Sequence, residues 1–263
     1  MEIEYACRVE RGRRPYNDDR AMAGGSVASE SSVSGSADAP LLAAVCDGCG
    51  GYAGGFLAAE TVLETLKSRD PGSLMSADAL ADTLELSRQR VAERQAALPQ
   101  YRTMCTTVAG CVFSETGTVI FHAGDSRVYR YGGFGLVRVT SDHSAIQDMV
   151  DYGVIAEEAR RSTAGRNVIT RGIGFECEAP EIYVSKNPIQ PGEIWLICSD
   201  GLWEYLTESA AESVISEKRP LVDTADALIA KALENGADDN ISVCLCAVPG
   251  EAGKAEKKPF VLD

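Results

Sequence analysis

Histidine and metal-binding cysteine pairs are scarce in this sequence. His122 and His143 are its only two histidines, and zinc-type cysteine spacing is lacking apart from the weak pair Cys46 and Cys49. The nine cysteines are odd in number and lie mostly within apolar, strand-like runs. These observations argue against a zinc site and predict reduced, mostly buried thiols.

Positive charge and long apolar runs are also lacking. The chain has 25 lysines and arginines against 39 aspartates and glutamates, which gives a formal net charge of -14. Binding to nucleic acid or to an anionic membrane needs a basic footprint, so we expect neither partner. No apolar run is long enough to span a bilayer, and residues 1–5 lack the pattern of a secretory signal, which predicts a cytoplasmic protein.

The length of the chain and the order of its predicted helices and strands limit the possible folds. With 263 residues, the chain can bury a full core in one large domain or in two smaller ones. Residues 250–263 are charged and lack periodicity, so we expect a flexible tail there. Strand-like runs come first, then two helices, more strands, a helical excursion, and strands with helices between them. This order favours an α+β fold, with two antiparallel β-sheets packed as a β-sandwich and flanked by α-helices, over an alternating βαβ fold.

Two local patterns carry more specific expectations. Between Ala23 and Ala39, serine, glycine and alanine dominate, which indicates a mobile hairpin loop or an insertion rather than core. From Thr106 to Val139, short apolar runs alternate with turn sequences, which predicts an antiparallel meander.

Aspartates stand at the ends of several apolar strands. Each one alone is more often an ordinary turn residue, because aspartate followed by glycine is common turn chemistry. The repetition at separate strand ends is harder to explain by turns alone. The candidates are Asp47, Asp125 and Asp200 after strands, Asp239 before the last strand, and Asp18 and Asp19 beside Arg14.

A carboxylate cluster that is poor in histidine and thiol selects hard divalent cations, Mg2+ or Mn2+. Gly48, in the glycine-rich turn after Asp47, can bring its backbone carbonyl close to such a cation. Two ions about 3.5 to 4 Å apart that share a bridging carboxylate can activate water and neutralise phosphoryl oxygens. Arg14 would then bind phosphate through its fork-shaped guanidinium group. The alternative interpretation is that Arg14 is a surface residue paired with Asp18 or Asp19.

Eight short motifs follow one another in a fixed order from about residue 9 to residue 248. They are Arg14-x-x-Asn17-Asp18-Asp19, Asp47-Gly48-x-Gly50-Gly51, Met104-x-Thr106-Thr107, Gly124-Asp125-Ser126-Arg127, Asp142-His143-Ser144, Arg166-Asn167-Val168-Ile169-Thr170-Arg171, Ser199-Asp200-Gly201-Leu202 and Asp239-Asn240-Ile241-Ser242. This series resembles the metal-dependent serine/threonine protein phosphatases of the 2C type, over nearly the whole chain. One motif would be weak evidence, whereas eight in order are strong.

The resemblance implies a single phosphatase domain over residues 1–249, of the stand-alone bacterial type. Such enzymes hydrolyse phosphoserine and phosphothreonine esters with water activated at a binuclear Mn2+ or Mg2+ centre, without a covalent phosphoenzyme. The implied partners are proteins phosphorylated by a serine/threonine kinase, and we expect a monomer. The segment from Asp142 to Asn167 stands in the place of the mobile flap that contacts protein substrates.

The resemblance also implies a role for each site residue. Asp47 matches the bridging ligand, the Gly48 carbonyl a ligand of one ion, and Arg14 the phosphate-binding arginine. Catalysis is thereby assigned to Arg14, Asp19 and Asp47. Asp200 and Asp239 match ligands of the first ion, and Asp18 matches the acidic ligand of the second. Asp19 matches a residue that holds metal-bound water. Asp125, together with Asp200, matches a weaker third metal site.

Three positions depart from the family pattern. Asp18 stands where glutamate is usual, so the second ion would be reached through water or bound more weakly. Cys49 replaces a histidine or a methionine, and Cys105 replaces a glycine, which we interpret as packing. The leaving group must then take its proton from metal-bound water or from a thiol, and we favour water. Alternatively, Cys49 is an exposed, redox-sensitive thiol beside the metals.

Two other functions are compatible with the same sequence. One is a catalytically weak or inactive 2C-fold module that binds phosphoproteins, and the other is a purely structural cation site. Loss of metal aspartates would favour the first, but Asp47, Asp200 and Asp239 are all present. A structural site leaves Arg14 and the open, glycine-rich geometry unexplained.

Overall fold

The computed structural model describes residues 1–49, 53–163, 165, 168–174 and 178–250, and within these ranges it contains twelve strands and six α-helices. The strands are β1 (Glu2–Glu10), β2 (Arg20–Ala23), β3 (Ser26–Ala28), β4 (Ser32–Asp38), β5 (Leu41–Cys46), β6 (Val108–Phe113), β7 (Thr118–Ala123), β8 (Arg127–Gly132), β9 (Gly135–Arg138), β10 (Glu181–Ser185), β11 (Ile194–Cys198) and β12 (Ile241–Ala247). The helices are α1 (Gly55–Lys67), α2 (Ala77–Ala97), α3 (Ala145–Asp151), α4 (Asp200–Trp203), α5 (Glu208–Ile215) and α6 (Leu221–Glu234).

The strands form two antiparallel sheets of six strands each. Sheet A has the order β4-β1-β12-β11-β8-β9, and sheet B has the order β10-β7-β6-β5-β2-β3. Every residue of β5, β6 and β12 is buried. The sequences of such strands are continuous apolar runs because one face of the strand packs on the other sheet and the opposite face packs on helices.

Three hydrophobic clusters separate the layers. Between the sheets, the rings of Phe113 and Trp195 meet edge to face with their centroids 5.4 Å apart. Leu228 of α6 packs on Leu245 of sheet A, and Leu63 of α1 belongs to the cluster that covers sheet B. The order helix, sheet, sheet, helix confirms the predicted β-sandwich flanked by helices.

The expectation of a mobile loop between Ala23 and Ala39 was wrong. This segment forms β3 and β4, which lie at the edges of sheet B and sheet A. Its small residues make room for a ring: a Cβ at Gly24 would lie 2.3 Å from the Tyr5 hydroxyl oxygen, and one at Gly35 would lie 2.9 Å from it. The Tyr5 ring therefore accounts for the glycines at positions 24 and 35.

The predicted meander from Thr106 to Val139 was only partly right. β6 and β7 pair in sheet B, whereas β8 and β9 pair in sheet A, so the chain changes sheets between β7 and β8. Gly124 makes the change with a φ of 104°, and a Cβ there would lie 2.6 Å from Thr107 Cγ2. Apolar alternation reports which face of a strand is buried, but it does not report which sheet the strand joins.

Two expectations concern the limits of the described chain. Among the described residues, the structure contains no helix that is both long and apolar enough to cross a membrane. Residues 251–263, nearly all of the expected tail, lie outside the described ranges, as do Arg166 and Asn167 of the expected flap.

Candidate metal centre

Strand pairing brings the candidate aspartates to one end of the sandwich. In sheet B, Arg20 at the start of β2 pairs with Cys46 at the end of β5. Asp19, which precedes β2, and Asp47, which follows β5, therefore lie side by side. The edge of sheet B thus supplies the Asp18, Asp19 and Asp47 carboxylates.

Strand pairing in sheet A brings the other three carboxylates together in the same way. Cys198 at the end of β11 pairs with Val243 near the start of β12 and with Arg127 at the start of β8. The positions just outside these three strand ends therefore meet at one edge. They are occupied by Asp125 before β8, Asp200 after β11 and Asp239 before β12.

Asp19 is fixed by hydrogen bonds that cross from one sheet to the other. The Ser199 hydroxyl donates to Asp19 Oδ2 over 2.9 Å, and the same hydroxyl oxygen accepts the Ser242 N–H over 2.9 Å. Asp19 is only 1% exposed, and this burial raises its pKa from 3.8 to about 6 in the absence of a cation.

The pKa values of Asp47, Asp125 and Asp200 are raised as well. Desolvation raises the pKa of Asp47 well above its usual value, and the charges of Asp19 and Asp200 raise it further. The pKa of Asp200 is raised in the same way, first by desolvation and then by Asp125. Burial brings the pKa of Asp125 to about 7.

Divalent cations fit this donor set. Oxygen ligands alone suit Mg2+ or Mn2+, and a cation among the carboxylates would offset the repulsion that keeps their pKa values high. Asp47, Asp200 and Asp239 are half-buried, so the cluster is open to solvent on one side. The residues present are therefore suited to hold metal ions, with Asp47 in the middle of the cluster.

Asp18 and Gly48 lie against the N-terminus of α1. Asp18 Oδ1 accepts the Phe56 N–H over 2.8 Å, which commits one of its carboxylate oxygens to the helix. A Cβ at Gly48 would lie 2.4 Å from the Gly55 carbonyl carbon and 2.7 Å from the Asp18 carbonyl oxygen. Only glycine allows the turn after β5 to approach the helix this closely.

Arg14 forms an ion pair with Asp239, a candidate metal ligand that the sequence did not suggest as its partner. Its Nη2 donates to Asp239 Oδ2 over 2.6 Å, whereas the sequence alternative was a pair with Asp18 or Asp19. The Arg14 side chain is 42% exposed at the mouth of the cluster. A phosphate that enters from solvent would reach this guanidinium at the edge of the carboxylate cluster.

The motif Met104-x-Thr106-Thr107 holds the chain after β5 in place. The Thr107 N–H and the Thr106 hydroxyl both donate to the Asp47 carbonyl oxygen, each over 2.8 Å. The Asp47 N–H donates to Thr107 Oγ1 over 3.0 Å. The two threonines therefore position Asp47, a role that the sequence did not assign to them.

Asp142 connects the start of the flap segment to sheet A. Arg127 donates to both Asp142 oxygens over 2.8 and 2.7 Å, and Arg160 adds a third bond over 2.7 Å. The Arg127 guanidinium lies 3.5 Å from the centroid of the Trp203 ring, and Trp203 Nε1 donates to the Asp125 carbonyl oxygen over 2.9 Å. The flap segment is thus linked to the backbone of a metal candidate.

His143 takes part in a second compact group, with His122 and Glu181. Their potential ligand atoms lie within 4.8 Å of one another. However, His143 Nδ1 accepts the Gly124 N–H over 3.3 Å, so Nε2 carries the ring proton and faces Glu181. Arg171 and the Tyr183 hydroxyl already donate to the Glu181 carboxylate. Through His143 and Glu181, this group joins the start of the flap segment to β7 and β10.

The prediction of reduced thiols was wrong for two cysteines. A disulfide joins Cys49 to Cys105, with their Cα atoms 5.5 Å apart, so Cys105 is not simply a packing residue. Cys7, Cys46, Cys111, Cys198, Cys244 and Cys246 are buried and free, as predicted. In the disulfide form, Cys49 has no thiol proton to give to a leaving group.

Comparison with known proteins identifies the family. Residues 28–235 match the family model described as "Protein phosphatase 2C". The chain belongs to the protein phosphatase 2C family. The predicted family, the fold class and the assignment as a phosphoprotein phosphatase are thereby confirmed.

Relatives of this 2C phosphatase chain include bacterial serine/threonine phosphatases. The "Serine/threonine phosphatase stp" of Listeria welshimeri is 30% identical over 253 residues, which cover 93% of this chain and 95% of the relative. The crystal structure of the Mycobacterium tuberculosis phosphatase PstP/Ppp is 27% identical with a TM-score of 0.81, and the match covers 95% of this chain and 100% of that one.

A second PstP structure bears on the metal. It is the catalytic domain in complex with two manganese ions, 25% identical to the 2C phosphatase chain with a TM-score of 0.79. The match covers 95% of this chain and 100% of that one. Metal dependence is therefore supported at the level of the family.

Proposed function

We propose that this chain hydrolyses phosphoserine and phosphothreonine esters of proteins at a binuclear Mn2+ or Mg2+ centre, with a weaker third site at Asp125 and Asp200. The observation that carries the proposal is the meeting of aspartates around Asp47, where desolvation and mutual repulsion hold several pKa values high. A cluster of this kind is costly to the fold unless cations occupy it.

The protein groups have separable tasks. Bound ions would supply positive charge for the phosphoryl oxygens and would activate water. Asp47, central among the carboxylates, would bridge both ions; Asp200, Asp239 and the Gly48 carbonyl would hold one of them, and Asp18 the other. Because Asp18 Oδ1 already accepts the Phe56 N–H, Oδ2 is the atom left for the second ion.

Asp19 and Arg14 would act on water and on phosphate. The Ser199 hydroxyl fixes Asp19 Oδ2, so Oδ1 can accept a hydrogen bond from the attacking water and orient it. The Arg14 guanidinium neutralises Asp239 in the metal-free chain. If Asp239 held a metal ion instead, the Arg14 N–H groups would be available to phosphate oxygens, which a planar guanidinium can bind in pairs.

A catalytically weak or inactive phosphoprotein-binding module is the alternative function. It is not favoured, because the family is one of phosphatases and all the aspartates of the cluster are present. We further propose that the substrates are products of a serine/threonine kinase and that the chain acts as a monomer. A cytoplasmic location stays a prediction.

The test is hydrolysis of p-nitrophenyl phosphate and of a phosphothreonine peptide, with Mn2+ or with a chelator. We expect turnover only with Mn2+, and we expect Asp47→Asn to lower it more than about 100-fold, since even outer contacts of metal ligands contribute 10- to 100-fold. Asp82→Asn, an exposed position on α2, is the matched control and should retain full activity.

The outcomes distinguish the candidate functions. Wild-type protein that binds the phosphopeptide but shows no Mn2+-dependent turnover would support the binding module. Turnover that survives in Asp47→Asn would contradict the assignment of Asp47 as the bridging ligand while leaving the enzyme class intact.

A further inference from the structure

Two cysteines that depart from the family pattern meet beside the proposed metal centre. Cys49 directly follows Gly48, and its partner Cys105 directly precedes Thr106. The two positions are 56 residues apart in sequence, on opposite sides of α1 and α2. Neither has a role in the proposed phosphatase mechanism.

The disulfide joins two backbone segments that are already paired. Gly48 and Thr106 form an antiparallel bridge, and the Cys49 N–H donates to the Cys105 carbonyl oxygen over 3.0 Å. On its other side, Thr106 exchanges two backbone hydrogen bonds with Ile173, over 2.9 and 2.8 Å. The disulfide therefore lies where the turn after Asp47, the motif Met104-x-Thr106-Thr107 and the chain around Ile173 come together.

The two cysteines differ in their exposure to solvent. Cys49 is half-buried, whereas Cys105 is 0% exposed. Gly174 covers Cys105 so closely that a Cβ at Gly174 would lie 2.9 Å from the Cys105 Cα atom. We therefore expect a small external thiol or disulfide to approach Cys49 and not Cys105.

We propose that Cys49 and Cys105 form a reversible redox site in which small thiols and disulfides exchange at Cys49, and that the state of this bond sets the affinity of the adjacent centre for Mn2+. The second half of the proposal rests on the metal centre proposed above.

Closing the bond needs a low-molecular-weight disulfide, RSSR, as the oxidant. The Cys49 thiolate attacks one sulfur of RSSR, which releases one thiolate and leaves a mixed disulfide on Cys49. The Cys105 thiolate then attacks the Cys49 sulfur, which forms the internal bond and releases the second thiolate. Two protein thiols are oxidised, one RSSR is reduced to two RSH, and the two thiol protons go to the two released thiolates.

Opening follows the reverse path. A small thiolate attacks the Cys49 sulfur, and Cys105 leaves as the thiolate. A second small thiolate then attacks the external sulfur of the mixed disulfide, which releases Cys49 as the thiolate and forms RSSR. The protons of the two small thiols go to the two cysteines. Once the bond is open, the turn after Asp47 is held beside Cys105, Thr106 and Thr107 by hydrogen bonds alone, so the Gly48 carbonyl is less firmly fixed. We therefore expect reduction to weaken Mn2+ binding by about tenfold, as the loss of an outer contact to a metal ligand does.

The first experiment tests the order of exchange on the folded, metal-free protein. Because Cys177 lies outside the described residues, all variants carry Cys177→Ser. Each reduced protein is treated with glutathione disulfide and analysed by intact mass and peptide mapping. We expect an internal bond between Cys49 and Cys105 in the background protein, one glutathione on Cys49 in Cys105→Ser, and no adduct in Cys49→Ser.

The six buried cysteines serve as the internal control and should stay unmodified in all three proteins. An adduct on Cys105 in Cys49→Ser, no adduct in either single variant, or the absence of the internal bond in the background protein would each overturn the redox site.

The second experiment measures Mn2+ affinity by titration calorimetry for the oxidised and the reduced background protein. The double variant Cys49→Ser with Cys105→Ser should match the reduced protein and should not respond to oxidant. Equal affinities in the two states would overturn the coupling alone. Absence of Mn2+ binding in both states would overturn the metal centre, and the coupling with it, while the mapping result would stand.

Discussion

The buried carboxylate of Asp19 makes stability depend on pH when no metal is bound. Burial raises its pKa from 3.8 to about 6, so the folded state holds the proton more tightly than the unfolded chain does. Between these two values the unfolded chain loses its proton first, and stability falls as pH rises. The rise in pKa corresponds to about 3 kcal/mol.

We therefore expect the chelated protein to lose most of this amount of unfolding free energy, about 2 kcal/mol, between pH 4 and pH 7 through this group, with little further loss above pH 7. Asp19→Asn should remove this part of the slope, and Asp82→Asn should keep it. Urea denaturation at several pH values measures both. A slope that is the same in Asp19→Asn and in the wild type would show that another group causes it.

The identity of the carboxylates could be predicted, but their supports could not. Aspartate at a strand end is visible in the sequence, and its chemistry follows from the residue type. Ser199, in contrast, is 180 positions away from the Asp19 that it fixes. The motif that contains Ser199 does not reveal this partner, because the partner is set by the packing of two sheets.

At the scale of elements, the flap segment begins at a buried charge cluster. Asp142 is almost fully buried, and burial would raise its pKa, but Arg127, Arg138 and Arg160 together lower the pKa below its usual value. The carboxylate is therefore ionised and paired inside the protein. Removing one partner of a buried pair leaves the other charge uncompensated.

Asp142→Ala should lower the unfolding free energy by about 3 to 5 kcal/mol, because the buried guanidinium groups of Arg127 and Arg160 lose their counter-charge. Glu85→Ala removes a partner of Arg88 on the exposed face of α2 and should cost less than about 1 kcal/mol. Chemical denaturation compares the two variants. A cost for Asp142→Ala as small as that for Glu85→Ala would mean that the cluster does not anchor the flap.

Long elements with strong periodicity could be predicted from the sequence, and short ones could not. Ala59, Val62, Leu63 and Leu66 recur at helical spacing, and all four are fully buried in α1. α4 has only four residues, too few for a periodic pattern to develop. The disulfide was missed for a related reason: it depends on how far the segments around Cys49 and Cys105 approach each other, which their spacing does not reveal.

For the whole molecule, the net charge of -14 sets the field that a substrate meets before it reaches the centre. Two bound divalent cations would offset only part of this charge, so the surface stays acidic. Complementary charge mainly speeds encounter and orients the partner, and salt screens it. Substrate choice among phosphoproteins should therefore depend on the residues that flank the phosphate.

A phosphothreonine peptide with flanking lysines should be hydrolysed with a kcat/KM about tenfold higher than one with flanking glutamates at low ionic strength, because steering raises the rate of encounter. The ratio should fall towards one as salt is raised to 1 M, where the Debye length is only about 3 Å. p-Nitrophenyl phosphate, which has no flanking residues, is the control for effects of salt on the centre itself. A ratio that does not change with salt would place the preference in direct contacts at the flap instead of in the net charge.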